Sequence, residues 1–188
     1  DGGPGLDILL GGDGQDFTNG GANDNQTFGG PGDDFVMAGQ GADSALGDGG
    51  DDWIQGGSGG DVLSGDHGAP FLDDPAQVRP GNDVLIGQGG GVDTYDAEGG
   101  DDIMSSNTSI DQFVGSAGFD WAIHQYDTVA ADDDMNINIG HALPPFMNRD
   151  VWHETAASSG SAFNDVIRAD DAVPSVAGGV GVPGCDAL

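Results

Sequence analysis

The chain predicts an all-β fold, a parallel β-roll with an irregular C-terminal cap. Three observations carry this expectation. Seven nine-residue units run without a gap from Gly2 to Ser64, each a version of G-G-x-G-x-D-x-U-x in which U is usually a large apolar residue. Glycine supplies 37 of 188 residues, about a fifth of the chain against a usual share of roughly 7%. An Asp stands at the sixth place of nearly every unit. Self-similarity at a short fixed period marks a solenoid, in which one unit cannot bury its apolar side alone and must stack on its neighbours. In each unit G-G-x-G-x forms the turn and x-U-x the short strand.

The units can be followed in order. The first is Gly2-Gly3-Pro4-Gly5-Leu6-Asp7-Ile8-Leu9-Leu10. The second, from Gly11, carries Asp16 but has Thr18 at the apolar place. The third, from Gly20, is degenerate, with Asn23 for Gly and Asn25 for Asp. The fourth, from Gly29, shows the pattern in full with Asp34 and Val36. The fifth to seventh carry Asp43, Asp52 and Asp61, with Ala45, Ile54 and Leu63 at the apolar place. The eighth opens at Gly65-Asp66-His67, is interrupted by thirteen residues from Gly68 to Pro80, and resumes with Asp83 and Leu85. A solenoid turn tolerates such an excursion. An inert surface loop is the preferred reading of the insert; a docking loop using Phe71 and Leu72 is the alternative. The ninth to twelfth units carry Asp93, Asp102, Asp111 and Asp120, with Tyr95, Met104, Phe113 and Ala122. The roll is therefore expected over residues 1–123.

Residues 124–188 form the expected cap, with one candidate degenerate repeat at 160–168. Met135-Asn136-Ile137-Asn138-Ile139 alternates with period two and predicts a half-buried strand. Trp121, Tyr126, Phe146 and Trp152 gather aromatic mass here. An open solenoid end needs covering, so a cap over the last coil is preferred for residues 124–159 to an interface with another domain.

Charge narrows the function. Asp and Glu total 33, Lys and Arg 3, and the net charge is −30. No basic patch exists for phosphate contacts, which argues against nucleic acid. Anionic membranes repel such a chain, and no apolar run approaches a membrane span. A single cysteine, Cys185, excludes an internal disulfide framework. No signal peptide is visible, and the chain opens inside the array, so a fragment of something larger is expected. A thin core and strong self-repulsion predict disorder unless a cation intervenes.

The repeat points to that cation. Glycine permits positive φ and close backbone approach, so turn carbonyls can point at a common centre. Calcium takes six to eight oxygen ligands, mixing carboxylates with carbonyls. The metal residues expected are Asp7, Asp16, Asp34, Asp43, Asp52, Asp61, Asp83, Asp93, Asp102, Asp111 and Asp120, with the turn glycines Gly2, Gly11, Gly29 and Gly56. Two units make one coil, so turns alternate between two edges. Calcium is scarce in cytosol and plentiful outside cells, so an extracellular home fits.

Motifs that suggest catalysis dissolve into the repeat. Gly56-Gly57-Ser58-Gly59-Gly60 matches G-x-S-x-G, but it is the turn of the seventh unit with no elbow context. His153-Glu154 begins like H-E-x-x-H but lacks the second His. Asp132-Asp133-Asp134-Met135-Asn136 lacks the Gly and Glu of an EF-hand loop and reads as a solvated acidic loop. The four His residues are scattered and suggest no zinc or haem site. No catalytic residue is assigned, and the chain is not expected to be an enzyme.

The nonapeptide is the calcium-binding pattern of the RTX family of secreted bacterial proteins, which the chain resembles over residues 2–123. The resemblance implies a calcium between stacked turns, taking Asp from both. Carried over, one edge is Asp7, Asn25, Asp43, Asp61, Asp93 and Asp111, and the other Asp16, Asp34, Asp52, Asp83, Asp102 and Asp120. Five gaps per edge, some weakened, imply on the order of 6–10 ions. RTX proteins include toxins, proteases, lipases and adhesins, generally exported by type I machinery. Gly118-Phe119-Asp120-Trp121-Ala122-Ile123-His124-Gln125-Tyr126-Asp127-Thr128-Val129, Ser161 to Arg168 and Gly184-Cys185-Asp186-Ala187-Leu188 resemble the calcium-binding portion of large bacterial animal-type haem peroxidases. That resemblance implies a peroxidase parent whose haem ligands lie in another domain. The expected function is a module that folds on calcium after secretion and scaffolds a larger extracellular protein; an adhesin, matrix or surface-layer module is the alternative. Calcium and other domains of the parent are the expected partners.

Overall fold

The computed structural model describes residues 1–66, 80–107, 109–136 and 150–169. All strand pairs named below are parallel, and no helix occurs among the described residues. Alternation along a strand sends every second side chain to the same face. The Asp place, the U place and the first place of the next unit therefore share the inward side. Asp34 and Val36 of the fourth unit and Ala38, the first residue of the fifth, are buried, while Phe35 and Met37 between them are only half-buried.

One sheet runs in the order β1 (Gly3–Pro4), β4 (Gly21–Ala22), β6 (Phe35–Gln40), β8 (Trp53–Ser58), β10 (Val84–Gln88), β12 (Ile103–Ser105), β14 (Trp121–Ile123) and β17 (Ala157–Ser159), with β3 (Phe17–Asn19) also paired to β6. The facing sheet contains β2 (Ile8–Leu10), β5 (Gln26–Phe28), β7 (Ser44–Leu46), β9 (Val62–Ser64), β11 (Thr94–Asp96), β13 (Gln112–Val114) and β16 (Val151–His153). A separate pair joins β15 (Asp132–Asp134) to β18 (Val166–Arg168). The fold is the parallel β-roll that the repeat predicts. Asp34 bonds Asp52 at a step of 18 residues, which is two nonapeptides per coil. Across the insert the step is 31, from Asp52 to Asp83, yet Trp53 still aligns with Val84 and Ile54 with Leu85. The insert itself, with Phe71 and Leu72, lies outside the described residues apart from Pro80.

The core is two facing columns. Val36, Ile54, Leu85, Met104 and Ala122 come from the first sheet, and Ala45, Leu63, Tyr95, Phe113 and Trp152 from the second, none more than 1% exposed. Tyr95, Phe113 and Trp152 stack with centroids 5.0 and 4.8 Å apart. The Tyr95 hydroxyl donates to Ser105 O at 3.0 Å, so its polar end is satisfied inside the roll. On the outer face of the first sheet a second aromatic row, Phe17, Phe35 and Trp53, stacks at 5.6 and 6.2 Å.

The ladder runs past residue 123, where the sequence suggested a cap. Val151-Trp152-His153 pairs with Gln112-Phe113-Val114, and Ala157-Ser158-Ser159 with Trp121-Ala122-Ile123. Two other expectations are corrected. The strand lies at 132–134, while Met135 and Asn136 form a turn; Ile137 to Ile139 lie outside the described residues. Asp132 to Asp134 is thus no solvated loop, because Asp133 takes an inward place and is buried. The unit at 160–168 joins this strand: Asp165 Oδ1 accepts from Ala131 N at 2.8 Å, and β18 pairs with β15.

This packing makes a direct prediction. Phe113→Ala opens the centre of the aromatic stack and should cost about 3–5 kcal/mol. Phe17→Ala, at a side chain 65% exposed, should change stability by no more than about 0.5 kcal/mol. Urea unfolding in calcium buffer measures both, and equal midpoint shifts would contradict the assigned core.

Candidate calcium-binding edges

Each inward Asp has two oxygens with different fates. Oδ1 accepts the backbone N–H of its counterpart one coil earlier. On one edge Asp7 N donates to Asn25 Oδ1 at 3.1 Å, Asn25 to Asp43 at 2.6 Å, Asp43 to Asp61 at 2.9 Å, Asp61 to Asp93 at 2.8 Å and Asp93 to Asp111 at 2.9 Å. On the other edge the bonds run from Asp16 to Asp34 and from Asp34 to Asp52 at 2.7 Å, then to Asp83 at 2.8 Å, Asp102 at 2.7 Å and Asp120 at 3.3 Å. The structure thus gathers the sequence-predicted aspartates into two columns.

Oδ2 is different. In Asp7, Asp34, Asp43, Asp52, Asp61, Asp83, Asp102, Asp111 and Asp120 it is buried and accepts no hydrogen bond among the described residues. A buried carboxylate oxygen without a donor is strongly unfavourable. In Asp7, Asp34, Asp52, Asp61, Asp83 and Asp120 it lies beside the glycine that opens its own turn, where a β-carbon would collide with it, whereas the turns of Asp43, Asp102 and Asp111 open with Ala38, Ala97 and Ser106. A β-carbon on Gly47 would collide with Asp52 Oδ2 and with the carbonyl oxygen of Gly65 in the next coil. On Gly29 it would meet Asp34 Oδ2 and the carbonyl oxygen of Gly47, and on Gly65 it would meet Asp83 Oδ2 and the carbonyl oxygen of Ala97. Gly2 and Gly11 repeat the arrangement with Asp7 and Asp16, the carbonyl oxygen of Gly29 facing Gly11; at Gly56 the nearest atoms all belong to Asp61. Carboxylate and carbonyl oxygens therefore converge beside glycines, a donor set made for a hard cation.

The electrostatics agree. Burial pushes Asp52 up to about 7, Asp61 up to about 6, Asp83 up to about 8 and Asp93 up to about 7, against the backbone N–H that each accepts, and neighbouring carboxylates push the same way. Asp34, Asp43 and Asp111 are raised by burial too, as are Asp102 and Asp120, which face each other across the last gap.

Two features were not read from the sequence. Asp150 extends the first column, its Oδ1 accepting from Asp111 N at 2.7 Å. Its only signal was Asp-x-U in Asp150-Val151-Trp152, without the glycines that mark other turns. An outer row at the fifth place runs with opposite polarity: Asp33 Oδ1 accepts from Asp51 N at 3.3 Å, Asp51 from Asn82 N at 2.9 Å and Asp101 from Phe119 N at 2.9 Å. Ser58 ends β8 on an exposed turn, paired with Gln40 rather than set in an elbow. His153 ends β16 and Glu154 opens the turn to β17; the two are exposed, 3.7 Å apart.

A roll with stacked, cation-ready acidic turns defines the class of the molecule. The family model described as RTX calcium-binding nonapeptide repeat, four copies, matches residues 1–27, 28–63 and 46–69. This part of the chain carries calcium-binding RTX repeats. No curated protein and no solved structure matches the chain. Among the described residues no helix is long and apolar enough to cross a membrane.

A pH dependence follows. Carboxylates of an unfolded chain titrate near 3.9. The folded ones take up protons as high as about 6–8. Between these limits the folded, metal-free roll holds more protons than the unfolded chain, so its stability falls as pH rises. Without calcium, circular dichroism should show more β structure at pH 5 than at pH 8, and millimolar calcium should remove the difference. A metal-free chain at least as ordered at pH 8 would overturn this account.

Proposed function

We propose that this chain is a calcium-loaded structural module that folds when calcium fills its two edges, after secretion, and then scaffolds a larger extracellular protein. The buried, donor-free Oδ2 atoms of the two columns support this reading most directly. Calcium, when bound, supplies the positive charge that these oxygens lack. Asp7, Asp16, Asp34, Asp43, Asp52, Asp61, Asp83, Asp93, Asp102, Asp111 and Asp120 would hold it, with carbonyls of turn residues such as Gly2, Gly11, Gly29 and Gly56. The ions number on the order of 6–10. The weakest positions have a physical cause. Asn25 is neutral, and its amide donates to Asn23 O at 2.6 Å. In the glycine-poor turn the Asn107 amide donates to Asp93 Oδ2 at 2.8 Å, taking the place of a cation there.

The parent protein belongs to the proposal as well. Its support is the resemblance of the strings around Asp120 to Val129 and Ser161 to Arg168 to the calcium-binding portion of haem peroxidases. A second reading, an adhesin, matrix or surface-layer module, draws on the stacked outer row of Phe17, Phe35 and Trp53. Retention of the isolated chain on cell or matrix surfaces would favour the second; haem absorbance in the parent, with no peroxidase activity in this chain, would favour the first.

The chain should be disordered in chelator and β-rich in millimolar calcium by circular dichroism, and a spectrum that ignores chelator sinks the proposal. Asp43→Asn should lower the calcium bound per chain by at least one ion in equilibrium dialysis, whereas Ser58→Ala should leave it unchanged.

A further inference from the structure

At the C-terminal end of the described roll the inward surface stops being apolar. His124 follows β14 at the inward place that a glycine holds in most coils and Ser106 holds one coil earlier. It is fully buried. Its ring meets Phe113 and Trp152 edge-on, with centroids 5.9 and 6.1 Å away. The aromatic contacts and full burial keep the ring out of water.

Its two nitrogens see different surroundings. Nδ1 lies 2.8 Å from Ser106 Oγ, 3.2 Å from Asp127 Oδ2 and 3.8 Å from Asp150 Oδ2. Nε2 lies 3.2 Å from Asp133 Oδ2, an ion-pair distance, and makes no hydrogen bond among the described residues. Asp133 is 1% exposed, at the inward place of β15, where Ser158 Oγ donates to its Oδ2. Asp150 has given Oδ1 to the backbone of Asp111, leaving Oδ2 toward the imidazole. One ligand atom from each of His124, Asp133 and Asp150 lies within 4.8 Å of the other two.

We propose that His124, Asp133 and Asp150 form a zinc-type divalent metal site, separate in chemistry from the calcium edges. Calcium selects oxygen donors, whereas an imidazole with carboxylates suits zinc. Two ligands at ordinary zinc bond lengths stand about 3.3 Å apart in a tetrahedral site. The 3.2 Å between Nε2 and Asp133 Oδ2, without hydrogen-bond alignment, has that spacing. Asp127 completes the arrangement as a positioning residue. By accepting from Nδ1 it keeps that proton in place, so a metal bound at Nε2 displaces only the Nε2 proton, as outer carboxylates arrange at histidine–metal centres.

The test uses the full chain in millimolar calcium, titrated with zinc chloride by calorimetry, with cobalt(II) absorbance as a second readout. One equivalent of zinc should bind without displacement by excess calcium, and cobalt should give a visible ligand-field band. His124→Gln should abolish both. Asp133→Asn should weaken zinc at least tenfold, and Asp127→Asn by about 10–100-fold. Circular dichroism in calcium shows whether each variant is folded. If His124→Gln is not, Asp133→Asn decides. No stoichiometric zinc uptake, uptake unchanged in a folded variant, or zinc displaced by calcium would each overturn the site and leave His124 as a buried ion-pair partner. Because the readout is zinc and cobalt, failure here is distinguishable from failure of the calcium reading.

Discussion

Turning a column of aspartates toward the inside of a protein is unfavourable unless each carboxylate oxygen finds a partner. In this roll half of that requirement is met by the chain. The N–H of each Asp, or of Asn25, bonds Oδ1 of its counterpart in the next coil, so the column is stitched along its length. The other half lies buried beside the first residue of the turn, and most of the architecture follows from leaving it room. The first turn place must be small, hence glycine. The strands are mostly three residues, enough to carry one apolar side chain inward between Asp and glycine. The core is consequently thin, and burial alone contributes little against the repulsion of 33 acidic residues.

The period made much of this legible before any coordinate. Spacing of nine fixed which side chains face inward, and pairing at eighteen placed Asp7, Asn25 and Asp43 in one column and Asp16, Asp34 and Asp52 in the other. What stayed hidden was structure without glycine. Asp150-Val151-Trp152 continues the second sheet, but no glycine-rich turn leads into it. Asp133 looked like part of a solvated acidic run because its partners, His124 and Ser158, are brought to it only by stacking, the latter from 25 residues away. Local composition cannot reveal a buried carboxylate whose partners arrive from other coils.

The roll also changes character along its length. In the second sheet the inward residues grow from Ala45 and Leu63 to Tyr95, Phe113 and Trp152 toward the C-terminal end, and in the first a His follows Ala122 at the place glycine holds in most coils. In the Ser106–Asp111 turn Asn107 and Ser109 donate to Asp93 and Asp111, so the chain supplies donors that elsewhere would have to come from an ion. Two ways of satisfying buried carboxylates thus coexist in one solenoid, one relying on metal and one on amide and hydroxyl groups. Their transition falls where glycine becomes sparse.

The register that survives a 31-residue step from Asp52 to Asp83 has a consequence for how such a molecule can change. A coil is held mainly by the coils before and after it, and a detour at a turn adds little more than loop-closure entropy. Growth by duplication is therefore a matter of whole coils: copying eighteen residues lengthens the molecule by one strand spacing, about 4.8 Å, and leaves every existing contact beyond the joint as it was. The molecule has a natural unit of length, and its reach is set by arithmetic on that unit.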